Sequence, residues 1–354
     1  MKKQLIAAAV ATAIAAPMAA SADVTVYGKL HYSIDSIDYD SSMSGTIPDT
    51  GMDSEVAGYD GSAVNSHDSF FGIKGSEDLG NGLSAVFQME FSISGDDLNG
   101  DTAMANDHNT YVALAGSWGV AGIGQVDTPF MSSTASLELF DQTVGDYNQL
   151  YFDDIRATDA VFYMSPNWNG FSFVAAVVIP SASDDADGIE ATSIAATYSN
   201  GPWFASLAYE QVSGDYVEAI YTLPATLNPD YDKWRLGLGY TANGFHVGFI
   251  YEDREIDNLS DVVVGADEDG ESWQLSASYT AGNNTFKIAY GEVDGAVNSS
   301  FMGFQMFDGE QWTVGVDHKL SNRTKVYAAY SDFEEKDIDN WDWDVFSLGI
   351  IHSF

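Results

Sequence analysis

The sequence predicts an all-β fold, a 16-stranded antiparallel transmembrane β-barrel. Three observations carry that expectation: an export leader, apolar–polar alternation of period two, and strand connections of two distinct lengths. The chain divides into residues 1–22, a signal peptide, and residues 23–354, the barrel.

Lys2 and Lys3 give the leader its positive start, Leu5–Ala16 is a short apolar run, and Ala20-Ser21-Ala22 is a small-x-small cleavage site before Asp23. The run is too short to span a bilayer, and no later stretch reaches roughly 18 uninterrupted apolar residues. An exported chain of this kind is periplasmic, secreted or a barrel in the outer membrane.

The 354 residues include 53 acidic and 13 basic side chains, a formal charge of -40. Without Lys2 and Lys3, 11 bases face 53 acids, which gives -42. Such a surface repels phosphate backbones and excludes nucleic-acid binding. With 45% apolar and 13% aromatic residues the chain is no disordered acidic tail. It has no cysteine, hence no disulfide and no thiolate chemistry.

Alternation begins at once: Val24, Val26, Gly28, Leu30, Tyr32 and Ile34 interleave with Thr25, Tyr27, Lys29, His31, Ser33 and Asp35. The same pattern runs through 83–93, 233–240 and 272–279, and ends with Phe346, Leu348, Ile350 and Phe354 on one face. Short turns fall at 77–82, 117–119, 167–170, 200–202, 242–244, 281–284 and 321–323. Long acidic segments fall at 38–66, 95–106, 127–154, 180–188, 213–231, 254–269, 294–309 and 334–342. Seven short turns and eight long loops join sixteen strands.

A soluble β-sandwich also alternates, but its connections need not sort by length. Aromatic placement separates the two. Trp203, Phe245, Trp312, Phe171 and Phe354 fall at turn-side strand ends, and Tyr209, Tyr251, Tyr290 and Tyr330 near loop-side ends, as two interfacial girdles. Sixteen strands leave a water-filled lumen, so the expected object is a pore.

No catalytic centre is expected. The six histidines, His31, His67, His108, His246, His318 and His352, form no His-Glu-x-x-His, and Ala115-Gly116-Ser117-Trp118-Gly119 misses the first Gly of Gly-x-Ser-x-Gly. His318 and His352 fall on outward faces. No cofactor or metal is expected either: the acidic runs Asp184-Asp185-Ala186-Asp187 and Asp267-Glu268-Asp269 lack helix–loop–helix calcium spacing and read as solvated loop tips. Two other kinds of barrel share this pattern. A sugar-specific channel needs an aromatic line along the lumen, whereas most of the eight Trp have lipid-facing parity or lie in loops, Trp118, Trp168, Trp341 and Trp343 among the latter. A plugged adhesive barrel remains the other alternative.

Several segments resemble the Gram-negative general porin family along the whole mature chain. Val24-Thr25-Val26-Tyr27-Gly28-Lys29 resembles its first strand, and Gly72-Ile73-Lys74-Gly75-Ser76-Glu77-Asp78-Leu79-Gly80-Asn81-Gly82-Leu83, the most specific match, its first hairpin. Gly122-Ile123-Gly124-Gln125-Val126-Asp127-Thr128-Pro129-Phe130 resembles the strand leading into the third loop, and 156–166 the strand returning from it. Gly349-Ile350-Ile351-His352-Ser353-Phe354 resembles the terminal strand, whose last Phe is a barrel-assembly signal.

The resemblance implies homotrimers in outer-membrane lipid and lipopolysaccharide, delivered by the barrel-assembly machinery and passing small hydrophilic solutes. It also implies that the third loop folds inward and sets carboxylates against a basic wall. Lys29 and Arg156 match basic wall positions, with His108 as a titratable third. Where the family often has Arg, this chain has Phe70 and Gln125. Lys74, Lys233, Arg235, Lys287 and Lys325 are further inward or rim positives. In the third loop, Asp127, Glu138, Asp141 and Asp146 are candidates to face the lumen, with Glu138 and Asp141 on a short helical turn whose apolar side is tucked to the wall. So thin a basic wall predicts cation selectivity.

Overall fold

The computed structural model describes residues 23–41, 45–46, 53–54, 59–95, 104–105, 108–150, 154–179, 188–214, 216, 230–257, 269–298, 305–336 and 341–354. The leader, 1–22, and the acidic runs 184–187 and 267–268 lie outside these residues. Among the described residues sixteen antiparallel strands form the wall. They are β1 (Asp23–Ser41), β2 (Tyr59–Ser66 continued by Phe70–Gly80), β3 (Leu83–Ile93), β4 (Met104–Ala105 continued by Thr110–Gly116), β5 (Gly119–Asp127), β6 (Arg156–Met164), β7 (Phe171–Val178) and β8 (Ala191–Asn200). The second half comprises β9 (Trp203–Val212), β10 (Tyr231–Ala242), β11 (Phe245–Ile256), β12 (Asp269–Ala281), β13 (Asn284–Asn298), β14 (Gln305–Lys319), β15 (Thr324–Glu335) and β16 (Trp341–Ser353).

Each strand pairs with its sequence neighbours, and the ends close on each other. One edge of β1 pairs with β2, from Asp23↔Ser76 to Tyr39↔Tyr59, and the other with β16, from Lys29↔Ser353 to Ser41↔Trp341. Closure leaves no free edge, which a bilayer requires because it offers backbone amides no hydrogen-bond partner. Phe354 completes the seam: its amide donates to the Gly28 carbonyl at 3.1 Å, and the Gly28 amide donates to the Phe354 carbonyl at 3.3 Å.

The fold is inside-out. Ile34 is 60% exposed, while Ser33 and Asp35 beside it are 3% and 0% exposed. Leu207, Leu275, Ile288 and Leu348 likewise face outward, and Glu210, Lys233, Arg235 and Gln274 inward. Three turns are Asn-Gly pairs with both residues at positive φ: Asn81 (54°) and Gly82 (76°), Asn169 (55°) and Gly170 (99°), Asn243 (53°) and Gly244 (85°). Mirror-image turns of this type match strand twist, which explains why Asn-Gly recurs at one end of the barrel. At the first of them the strand runs on through Glu77–Gly80, so the turn is tighter than the sequence suggests.

The outward aromatics cluster in pairs, Trp203 with Tyr240 (4.7 Å) and Phe245 with Tyr279 (4.4 Å) toward the turns, Tyr209 with Trp234 (4.6 Å) and Trp273 with Tyr290 (5.5 Å) toward the loops. Three Trp assignments need correction. Trp312 stands directly opposite Tyr290 and 5.2 Å from Tyr330, so it belongs to the loop-side girdle. Trp341 and Trp343 lie on β16, not in a loop; Trp343 is buried and stacked on Phe333 at 5.6 Å.

Candidate functional site: the lumen constriction

After β5 the chain turns into the barrel. Thr128 caps a one-turn helix, α1 (Pro129–Ser132), by accepting from the Met131 amide at 3.2 Å, and Pro fits the first turn because no amide is needed there. Phe130, Leu137, Phe140, Tyr147 and Leu150 then bury themselves against the inner wall, each burial contributing roughly 1.5–3 kcal/mol. Wall glycines make the room. A Cβ at Gly239 would lie 2.7 Å from Leu137, one at Gly315 2.9 Å from Phe140, and one at Gly291 2.5 Å from Leu150. Polar wall groups meet the loop's backbone: Ser193 accepts from the Phe130 amide (3.0 Å), and Ser276, Lys287 and Gln311 donate to the carbonyls of Leu137, Leu139 and Val144 at 3.2, 3.1 and 3.4 Å. The third loop is thus laid across the inner faces of β8, β10 and β12–β14 and narrows the lumen.

One guanidinium holds both limbs of this loop. Arg235, fully buried, lies 4.2 Å from the Phe130 ring, 2.9 Å from Asp154 and 2.7 Å from Glu252. Lys233 beside it pairs with Glu210 at 3.2 Å and also lies over the Phe130 ring, 4.6 Å from its centre. Farther round, Asp317 joins Lys287 (2.8 Å) and Lys325 (2.9 Å). Among the described residues no three His, Asp or Glu side chains gather as a metal centre.

A family model described as Gram-negative porin matches residues 7–338 of the chain. The chain belongs to the Gram-negative porin family. It is similar to the major outer membrane protein P.IB of Neisseria gonorrhoeae, 26% identical over 351 residues with 95% of this chain and 94% of that protein covered. It also resembles outer membrane porin protein 32 of Delftia acidovorans, 29% identical with 95% and 91% covered. Among solved structures an anion-selective porin from Comamonas acidovorans matches with TM-score 0.73, 23% identity, and coverage of 94% of this chain and all of that one. The trimer form of OmpT from Vibrio cholerae matches with TM-score 0.66 at 14% identity, covering 94% and 100%. The porin is therefore an outer-membrane, multi-pass β-barrel channel, a passive conduit rather than an enzyme.

Within the porin the expected constriction residues take different places. Lys29 and His108 do meet on the wall, but both contact Asp68, at 2.5 and 3.2 Å. Arg156 stands opposite Asp127 in the β5–β6 ladder and pairs with it at 2.5 Å, so these two neutralise each other at the loop's root. Asp141 is exposed on the loop surface inside the barrel. Glu138 and Asp146, expected at the lumen, are buried instead. Asp146 accepts from the amides of Gln142 and Asn148 and shapes the loop. Glu138 accepts from Thr134 at 2.9 Å beneath the loop; burial first, then the charges of Asp141 and Asp154, push its carboxyl up to about 7. The short apolar steps between these acids drive them apart: Leu137 and Phe140 go to the wall, carrying Glu138 under and leaving Asp141 out.

Sequence reasoning missed Asp68, Asp154, Glu210, Glu252 and Asp317. Glu210 and Glu252 could have been found, since they share the inward parity of Lys233 and Arg235 and stand opposite them, Glu210↔Lys233 and Arg235↔Glu252.

Proposed function

We propose that this porin is a general diffusion channel for small hydrophilic solutes and ions, favouring cations, and that it works as a homotrimer in outer-membrane lipid and lipopolysaccharide. The observation that carries the cation preference is the pairing of the positives. At least seven of the eleven Lys and Arg beyond the leader, namely Lys29, Arg156, Lys233, Arg235, Lys287, Lys325 and Lys336, have a carboxylate within 3.6 Å. Lys74 lies over the Tyr27 ring at 4.5 Å. With 53 acids in the chain, little positive field is left to attract anions. The likeness to an anion-selective porin is one of fold at 23% identity, and the sign of selectivity depends on each chain's own charges. Phe354, whose backbone closes the seam, is the residue we assign to recognition by the barrel-assembly machinery.

The test is the reversal potential of purified channels in a planar bilayer under a KCl gradient. A cation-signed potential that shrinks with salt is expected, as the Debye length falls from ~10 Å at 0.1 M to ~3 Å at 1 M. An anion-signed potential overturns the preference.

A further inference from the structure

Strand β2 is broken where it passes Lys29. Two residues of β1, Leu30 and His31, stand opposite three of β2, His67, Asp68 and Ser69, between the pairs Tyr32↔Ser66 and Lys29↔Phe70. This is a bulge, and its middle residue sits at a φ of 44°, a conformation L residues other than Asn and Asp adopt reluctantly. Strict alternation from Asn65, which is buried inside, would send Asp68 outward toward the membrane. The extra residue turns it inward instead, between Lys29 and His108, and reverses the parity so that Phe70 also faces the lumen beside Lys29. Asp68 and Lys29 each retain about a fifth of their side-chain surface in water.

A strained backbone that points a carboxylate at an ammonium and an imidazole over an aqueous path calls for a function. We propose that Asp68 is a specificity-determining residue of the channel: its charge cancels that of Lys29 and keeps this wall open to cations. The assignment rests on the cation preference proposed above. Removing the carboxylate exposes Lys29 and His108 to permeating ions without touching the third loop.

The experiment measures the cation-to-anion permeability ratio from reversal potentials in a KCl gradient for the wild-type channel, Asp68→Asn, Lys29→Met and the double variant. In Asp68→Asn the ratio should fall by up to about sixteen-fold, because one unit charge ~5 Å away in water is worth a Boltzmann factor of about four, lost by the cation and gained by the anion. Lys29→Met should raise it, and the double variant should return close to the wild-type ratio, because the fields of the two opposite charges superpose and are removed together. Asp68→Gly, which accepts the positive φ without strain, should reproduce the loss seen with Asn and so separates charge from backbone. An unchanged ratio in channels of normal conductance overturns the proposal, as does a double variant whose ratio stays as low as that of Asp68→Asn alone. The wild-type sign tests the cation reading separately: an anion-selective wild type sinks that reading, while the further drop in Asp68→Asn still upholds Asp68.

Discussion

Arg235 donates to Asp154 from Nη2 at 2.9 Å and from Nη1 at 3.4 Å, which fastens the returning limb of the third loop to β10. The same guanidinium covers Phe130 on the outgoing limb. The constriction is held at its base by one side chain, and the loop's position depends on it.

Arg235→Met keeps much of the volume but leaves Asp154 and Glu252 buried without their cation. Breaking such a cluster costs about 3–5 kcal/mol. The thermal midpoint of the folded channel should drop, and single-channel recordings should show a larger, noisier conductance as the loop leaves the wall. A quiet, unchanged conductance would mean that the apolar contacts alone hold the loop.

Gly239→Val should act in the opposite sense. The added side chain occupies the place of Leu137, since even a Cβ would come within 2.7 Å of it. The loop is pushed toward the axis, and conductance should fall while the barrel stays folded. Conductance equal to wild type would show that Leu137 finds another seat.

Glu138 couples the loop to pH. Its carboxyl binds a proton more tightly in the folded channel, with a value near 7 against an ordinary 4.5. The stabilisation is complete below the ordinary value and is lost as pH rises through 7, by roughly 3 kcal/mol at most. The wild-type thermal midpoint should therefore decline between pH 5 and 8, and Glu138→Gln should flatten that decline. Parallel curves for the two would assign the pH effect elsewhere.

Asp141→Asn, on the exposed side of the loop, should lower the cation-to-anion ratio by a few-fold through the loss of one charge near the path. At pH 8 Glu138→Gln should move it less, because its carboxylate lies beneath the loop. Comparing the two reversal potentials decides the matter, and a larger effect from Glu138 would reverse the assignment.

The barrel was legible because a membrane wall leaves its signature on every strand: alternation fixes which side is wet, and Asn-Gly marks the turns. The loop's fold was less so. Nothing local says that Leu137 and Phe140 find glycines on β10 and β14, far away in sequence, and that contact decides the fates of Glu138 and Asp141. Asp68 was hidden for a different reason. Reading parity along the chain assumes an unbroken strand, and a bulge violates that assumption at the very residue it serves. Trp343 was misplaced because its neighbourhood is acidic enough to look like loop.

The pairing of Gly28 with Phe354 joins the first strand to residue 354. Hairpins between neighbours can form as soon as both strands exist, but this seam must wait for the whole chain, the longest sequence separation available. Until then β1 and β16 are bare edges, ready to pair with any passing strand. Deleting residue 354 removes both hydrogen bonds between Gly28 and Phe354 at the end of the seam, whereas Phe354→Ala keeps them and removes only the ring. If the deletion alone stalls assembly, the backbone zip is the slow act; if both stall it, the ring is needed as well. Either way the barrel passes through a finished but unsealed ribbon, and the time spent in that state is set by how quickly its two ends find each other.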